Sequence, residues 1–151
     1  MFARCSRLSL SLAFAVAIAA PVTVAQAEGA PSPAGAQAYI ISPADGATVS
    51  SPFTVQFGLK GMGIAPAGID FPDTGHHHIL IDHDEVNAGS DIMKTYMPTD
   101  DPTVLHFGKG QTETKLTLAP GSHTLQLVLG DLDHHPHNPP VYSPRITVTV
   151  K

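Results

Sequence analysis

The chain has 151 residues, with 8 Lys plus Arg, 13 Asp plus Glu and 9 His, and its formal net charge is −5 at pH 7. A negative chain is repelled by phosphate backbones, so nucleic acid is excluded as an expected partner. The excess of carboxylates and the many histidines instead suit cationic transition metals.

The first 27 residues have the pattern of a signal peptide. Arg4 and Arg7 precede an apolar run at 8–20, and the small residues AQA at 25–27 form a cleavage site. That run is shorter than the ~20 residues of a membrane span, and no later segment comes close to one. We therefore predict an exported, periplasmic protein with no membrane span after signal removal. Cys5, the single cysteine, lies inside the signal, so no disulfide is expected.

Residues 28–38 are rich in Pro, Gly and Ala and predict a flexible N-terminal lead-in, followed by one domain at 39–151. Within that domain, short β-prone runs alternate with Pro-Gly and Asp-Gly turn signals, and no segment has a helical period. The predicted strands are 39–41, 53–59, 77–81, 103–107, 112–118, 123–129 and 141–150. This pattern predicts an all-β fold, an immunoglobulin-like antiparallel β-sandwich of about seven strands.

The third strand opens with a histidine triplet in the stretch TGHHHILID. Because side chains alternate along a strand, His76 and His78 share one face, while His77 joins Ile79 and Ile81 on the other. The Cα atoms of His76 and His78 would be roughly 6.6 Å apart, a spacing at which two imidazoles can bind one ion. We predict His76 and His78 as metal ligands and His77 as a structural residue.

A second histidine cluster follows the sixth strand in the stretch GDLDHHPHNPP. Its histidines are His134, His135 and His137. In the immunoglobulin arrangement the third strand pairs antiparallel with the sixth, so the start of one faces the end of the other. That geometry predicts His134 and His137 beside the first pair, as further metal ligands.

Three other residues have more open assignments. His106 falls near the turn between the fourth and fifth strands, which should lie at the same end of the sandwich, and it is a possible fifth ligand. His123 begins the sixth strand and is expected to hydrogen-bond the backbone. Asp131 either orients an imidazole as an outer partner of the metal or stabilises a turn.

Imidazole nitrogen favours copper and zinc over calcium or magnesium, so the predicted ion is copper or zinc. The three methionines after the signal, Met62, Met93 and Met97, are candidate soft ligands for cuprous copper, although methionine more often fills a core. Two connections, 60–75 and 82–102, have a length that is usual for functional or disordered loops.

No catalytic motif supports an enzyme: Gly-x-Ser-x-Gly, His-Glu-x-x-His and a cysteine nucleophile are all missing from the sequence. A metal-dependent hydrolase is a lesser alternative, since three histidines and a water form a catalytic zinc pattern. The other alternative is an envelope-interaction or adhesion module with a pH-sensitive histidine face, whose partner is another periplasmic or envelope protein.

Long segments of the chain resemble a bacterial exported family, the domain of unknown function 4399 (DUF4399). They include PADGATVSSPFTVQFGLKGMGIAPAG, TGHHHILID, HFGKGQTETKLTLAPGSHTLQLVLGD and HPHNPPVYSPRITVTV, and they span nearly all of residues 40–150. The resemblance implies a small periplasmic domain without an established activity. It also implies that the histidine triplet, His106, His123, His134 and His137 are shared positions, whereas His135 has an apolar counterpart and is a weaker ligand candidate.

Overall fold

The computed structural model describes residues 29–151, so the predicted signal peptide lies outside the described residues. The described residues form nine strands, labelled β1 to β9 in the order Gln37–Ser42, Thr48–Val49, Phe53–Lys60, Gly63–Ile64, Thr74–Ile81, Val104–His106, Glu113–Leu116, Gly121–Gly130 and Ile146–Val150. A short 3-10 helix occupies Asp91–Lys94. In this part of the chain no helix is long and apolar enough to cross a membrane.

The strands form two packed sheets, which confirms the predicted all-β sandwich. The smaller sheet has the order β1-β3-β7, and the larger has the order β2-β9-β8-β5-β4, with β6 also paired to β5. The β2–β9 and β4–β5 pairs are parallel, whereas the β5–β8 and β5–β6 pairs are antiparallel. The pairing of the third predicted strand with the sixth, now β5 with β8, is therefore confirmed.

The main core lies between the sheets and follows from the alternation of apolar residues along the strands. On β3, the buried residues Phe53, Val55 and Phe57 alternate with exposed residues. They pack against side chains of the larger sheet, including Ile79, Ile81, Leu125, Leu127 and Leu129. The smaller sheet thus covers the inner face of the larger one.

The outer face of the larger sheet has a second apolar cluster of its own. Leu80, Val104 and Val128 lie on this face, and Met93 and Met97 from the 82–102 connection cover them. Because β5 is covered on both sides, its residues from 75 to 81 are all buried. The long second connection is therefore a packed cover over β5, beside the histidine triplet.

Three details differ from the predicted strands. In the immunoglobulin arrangement the fourth predicted strand, 103–107, would pair with the fifth, 112–118. In the structure the fourth predicted strand is β6, and it pairs instead with β5, the third predicted strand, because the 82–102 cover leads the chain back to that edge. The last strand begins at Ile146 rather than at 141, since Pro144 has no N–H to continue the ladder. The strands β2 and β4 were not predicted, because two residues are too few to show alternation.

Candidate metal centre

The first two candidate ligands lie on the outer face of the larger sheet. His76 and His78 alternate with His77 along β5, and both side chains are fully buried. His76 lies opposite Gly130, the last residue of β8, while His78 lies opposite Val128 on β8 and His106 on β6. The predicted chelating pair thus faces the end of β8. The loop that carries the second histidine cluster begins there, and we call this segment, residues 131–140, the histidine loop.

His106 reaches the pair through direct strand pairing rather than through the turn that the sequence suggested. It is the last residue of β6 and the register partner of His78. The two rings are stacked with their centroids 5.1 Å apart. The ring of His106 also lies against Gly108, where any Cβ would collide with it. His106 is therefore part of the cluster.

His134 enters from the loop after β8. A left-handed backbone conformation, with φ of 69°, turns this residue out of the path of the strand. The Asp131 carboxylate fixes the turn by accepting hydrogen bonds of 2.9 Å from the backbone N–H groups of Asp133 and His135. The Nε2 atoms of His134 and His106 are 3.0 Å apart, so one imidazole donates a hydrogen bond to the other.

The four imidazoles have a geometry that fits one metal ion. One ring nitrogen from each of His76, His78, His106 and His134 lies within 4.8 Å of all the others. Two nitrogens bound to one tetrahedral zinc ion at about 2.0–2.1 Å are about 3.3–3.4 Å apart, so ring shifts of under about 1 Å would bring all four onto one ion. The donor set, four imidazole nitrogens, is one that copper and zinc accept.

The two buried members of the cluster lack the partners that buried polar atoms normally have. Both ring nitrogens of His76 and both of His78 have no hydrogen-bond partner among residues 29–151. An unpaired buried polar group costs about 1–3 kcal/mol, so such atoms call for an explanation. A bound cation would satisfy one nitrogen on each ring, and no side chain of the described residues does so.

The electrostatic surroundings keep these imidazoles neutral and able to donate a lone pair. Burial, followed by the neighbouring His134 and His106, lowers the pKa of His76 to about 4, while the Asp131 carboxylate opposes this shift. Burial and the adjacent imidazoles lower the pKa of His78 to about 2. Burial also lowers the pKa of His106. Metal ions bind the neutral form of histidine, so the cluster needs little proton release at pH 7.

His137, the remaining predicted ligand, does not join the cluster. Its ring is buried, and Nδ1 donates a hydrogen bond of 3.0 Å to the backbone carbonyl of Ala30. The N–H of Ala30 in turn donates to the Asp131 carboxylate at 2.9 Å, and the Ser32 hydroxyl donates to the carbonyl of Pro139. The segment predicted as a flexible lead-in, residues 28–38, is thus hydrogen-bonded to the histidine loop within its described part. His137 therefore holds the segment around Ala30 against the loop after β8.

The residues that the sequence predicted as structural have distinct surroundings. His77 points between the sheets, with its ring centroid 4.9 Å from that of Phe57. His123 lies at the opposite end of the sheet, where its ring donates to the Ala119 carbonyl, as expected, and to the Asp82 carboxylate at 2.8 Å. Asp131 accepts hydrogen bonds from backbone amides, so its direct contacts are those of a residue that stabilises a turn.

Several neighbours of the cluster were not identified from the sequence. A Cβ at Gly130 would lie 2.7 Å from Cε of Met97 and 2.8 Å from Cε1 of His78, and one at Gly75 would lie 2.7 Å from Nε2 of His137. Glycine at these positions therefore lets the strands accommodate the buried side chains. Glycine within a strand pattern often marks such a close approach, and this was the signal available in the sequence.

Residues 55–151 match the model of a family described as a domain of unknown function, DUF4399. The chain belongs to this family. The match confirms the resemblance seen in the sequence, and it includes all four residues of the cluster. Comparison with curated proteins and with solved structures found no match.

Proposed function

We propose that this protein binds a transition metal ion, copper or zinc, through His76, His78, His106 and His134. The observation that carries the proposal is the convergence of four imidazole nitrogens within 4.8 Å, two of them from fully buried rings without hydrogen-bond partners. Cation binding is also favoured by the nearby Asp131 carboxylate, whose charge opposes the lowering of the His76 pKa. The role would be metal carriage, buffering or sensing in the periplasm, after export by the predicted signal peptide.

A binding role fits this cluster better than hydrolysis does. Catalytic zinc sites use three protein ligands and keep one position for water, whereas four protein ligands are typical of closed sites. Four imidazoles would fill a tetrahedral shell and leave no position for an activated water. We therefore propose a protein that is not an enzyme.

The test is calorimetric titration of tag-free protein with copper and with zinc. We expect one ion per chain, and the His76→Ala/His78→Ala variant should lose this binding because it removes the buried half of the cluster. The matched control is His83→Ala/His135→Ala, which removes two histidines outside the cluster and should bind as the unaltered protein does. Binding by the unaltered protein that is no tighter than that of the His76→Ala/His78→Ala variant would contradict the proposal.

A second candidate function, contact with another envelope protein, is favoured by an exposed apolar loop. Ile69 and Phe71 are 51% and 65% exposed, and the N–H of Gly68 joins their loop to the carbonyl of Leu132 in the histidine loop. A pH-sensitive version of this role gains little from the cluster, since the lowered pKa values of His76 and His78 keep both rings neutral at pH 5.5. Capture of a partner that is lost in Phe71→Ser and unaffected by chelators would favour this function.

A further inference from the structure

The three methionines of the described chain have different surroundings. Met62 packs against the main core between the sheets. Met93 and Met97 both belong to the cluster on the outer face, the face of β5 that presents His76 and His78. Only these two therefore lie on the side of the sheet where the histidines converge.

Met97 is joined to the histidine cluster by a backbone hydrogen bond, and its side chain ends beside the same glycine as the ring of His78. Its N–H donates a hydrogen bond of 2.9 Å to the carbonyl of His134, which fixes the methionine beside that ligand. Its side chain is fully buried. The methyl carbon of Met97 and Cε1 of His78 lie on the same side of Gly130, at 2.7 and 2.8 Å from the point where a Cβ would be.

The absence of a side chain at Gly130 leaves room for both the Met97 methyl group and the His78 ring. Gly130 is the register partner of His76, so the space above it adjoins both buried ligands. An alanine there would displace the His78 ring or the Met97 side chain, since contacts under 3.0 Å are not tolerated without a shift. The methyl group of Met97 thus ends at Gly130 beside the His78 ring, while the Met97 backbone is hydrogen-bonded to His134.

We propose that Met97 supplies a thioether ligand that makes this a copper site, with a preference for the cuprous ion over zinc; this inference rests on the metal-binding function proposed above. Thioether sulfur is a soft ligand that selects Cu(I), whereas zinc in proteins is bound by thiolate, imidazole and carboxylate. Methionine has three rotatable bonds, and rotations about the first two, Cα–Cβ and Cβ–Cγ, move the sulfur and can turn it toward the imidazoles without moving the backbone. The cargo would be a four-coordinate copper ion bound by three of the imidazole nitrogens and the Met97 sulfur, whereas zinc would be bound by all four imidazoles.

The test compares Met97→Leu with Met93→Leu, a matched control in the same connection and the same apolar cluster. Leucine keeps the volume and apolar character of the side chain but has no sulfur. We expect Met97→Leu to weaken Cu(I) binding by at least about tenfold, the loss typical of even an outer partner of a metal site. Competition against a chromophoric Cu(I) chelator measures this affinity. Zinc affinity should be unchanged in both variants, and Met93→Leu should retain both affinities.

X-ray absorption at the copper edge gives an independent measurement, because a first-shell sulfur scatterer should be present in the unaltered protein and missing in Met97→Leu. Unchanged Cu(I) affinity in Met97→Leu, or an equal loss of Cu(I) and zinc affinity, would overturn the assignment, since the second result means that Met97 acts through packing. These outcomes leave the metal-binding function standing. Binding of neither metal by the unaltered protein, or binding that survives His76→Ala/His78→Ala, would overturn both proposals.

Discussion

His123 and His78 lie on adjacent strands of the same sheet, but their imidazoles have opposite electrostatic surroundings. Hydrogen bonds from the His123 ring to the Asp82 carboxylate and to the Ala119 carbonyl raise the pKa of His123. Both ring nitrogens act as donors there, so the protonated form is favoured. Burial among other imidazoles lowers the pKa of His78 to about 2, which preserves a neutral ring. The same residue type is thus an ion-pair partner at one end of the sheet and a candidate ligand at the other.

The His123–Asp82 pair should stabilise the protein within a limited pH range. The pKa of His123 is raised above 6.5, so its contribution is fully present below pH 6.5 and is lost as the pH rises through the raised pKa. The pKa of Asp82 is lowered below 3.8, so its contribution is present above pH 3.8 and is lost as the pH falls through the lowered value. His123→Ala should therefore reduce the free energy of unfolding more at pH 5.5 than at pH 8.5.

The difference between the two pH values should be under about 1 kcal/mol, because Asp82 is half exposed and solvent screens the pair. Urea unfolding at pH 5.5 and 8.5 measures it, with His83→Ala as the control histidine at the same end of the sheet. An equal loss of stability at both pH values would show that His123 acts only through packing and uncharged hydrogen bonds.

At the scale of strands and loops, the part of the site that the sequence predicted depends on two regular features. Alternation along β5 separates His77 from His76 and His78, and antiparallel pairing places His76 opposite the end of β8. Both features follow from the regular geometry of paired strands, so a local sequence pattern is sufficient to predict them. Together these features predict that His134, in the loop after β8, lies beside His76 and His78.

The rest of the site depends on contacts between distant segments. His106 joins the cluster because β6 pairs with β5, and that pairing follows from how the 82–102 connection packs over Leu80. His137 is diverted from the cluster by a hydrogen bond to Ala30, a residue in a segment whose composition suggested no structure. Neither contact has a local sequence pattern, because each is set by packing between segments far apart in the chain.

The histidine loop offers a prediction about how a turn controls the site. The Asp131 carboxylate accepts hydrogen bonds from the N–H groups of Ala30, Asp133 and His135, and the last two of these bonds flank His134 in the chain. Asp131→Ala should release the turn and weaken metal binding by about tenfold, because His134 would have to be ordered when the ion binds. Metal titration by calorimetry measures the loss.

The control for this prediction is Asp133→Ala, which removes an exposed carboxylate from the same loop and should leave metal affinity unchanged. Equal losses in the two variants would indicate a general effect of negative charge near the ion. An unchanged affinity in Asp131→Ala would show that His134 is positioned without the turn.

At the scale of the whole molecule, the histidine cluster and the main core occupy opposite faces of the larger sheet. The core residues Phe57, Ile79 and Leu127 lie between the sheets, whereas the four histidines converge on the outer face. A bound ion would connect β5, β6 and the loop after β8. The strands β5, β6 and β8 already belong to one hydrogen-bonded sheet, and the loop follows directly from β8. Folding of the sandwich should therefore not require the ion, in contrast to small domains that are held together by zinc.

This separation predicts that the metal-free protein is folded and that the ion adds stability by mass action. With free metal at 100 times the dissociation constant, the free energy of unfolding should rise by about 2.7 kcal/mol, which corresponds to roughly 10 °C in Tm for a domain of this size. Thermal unfolding in chelator and in metal measures the shift. His106→Ala/His134→Ala should unfold cooperatively in chelator and show no shift with metal, because two of the four ligands are gone. A chelated protein that is unfolded would contradict this prediction, because it would mean that folding of the sandwich requires the ion.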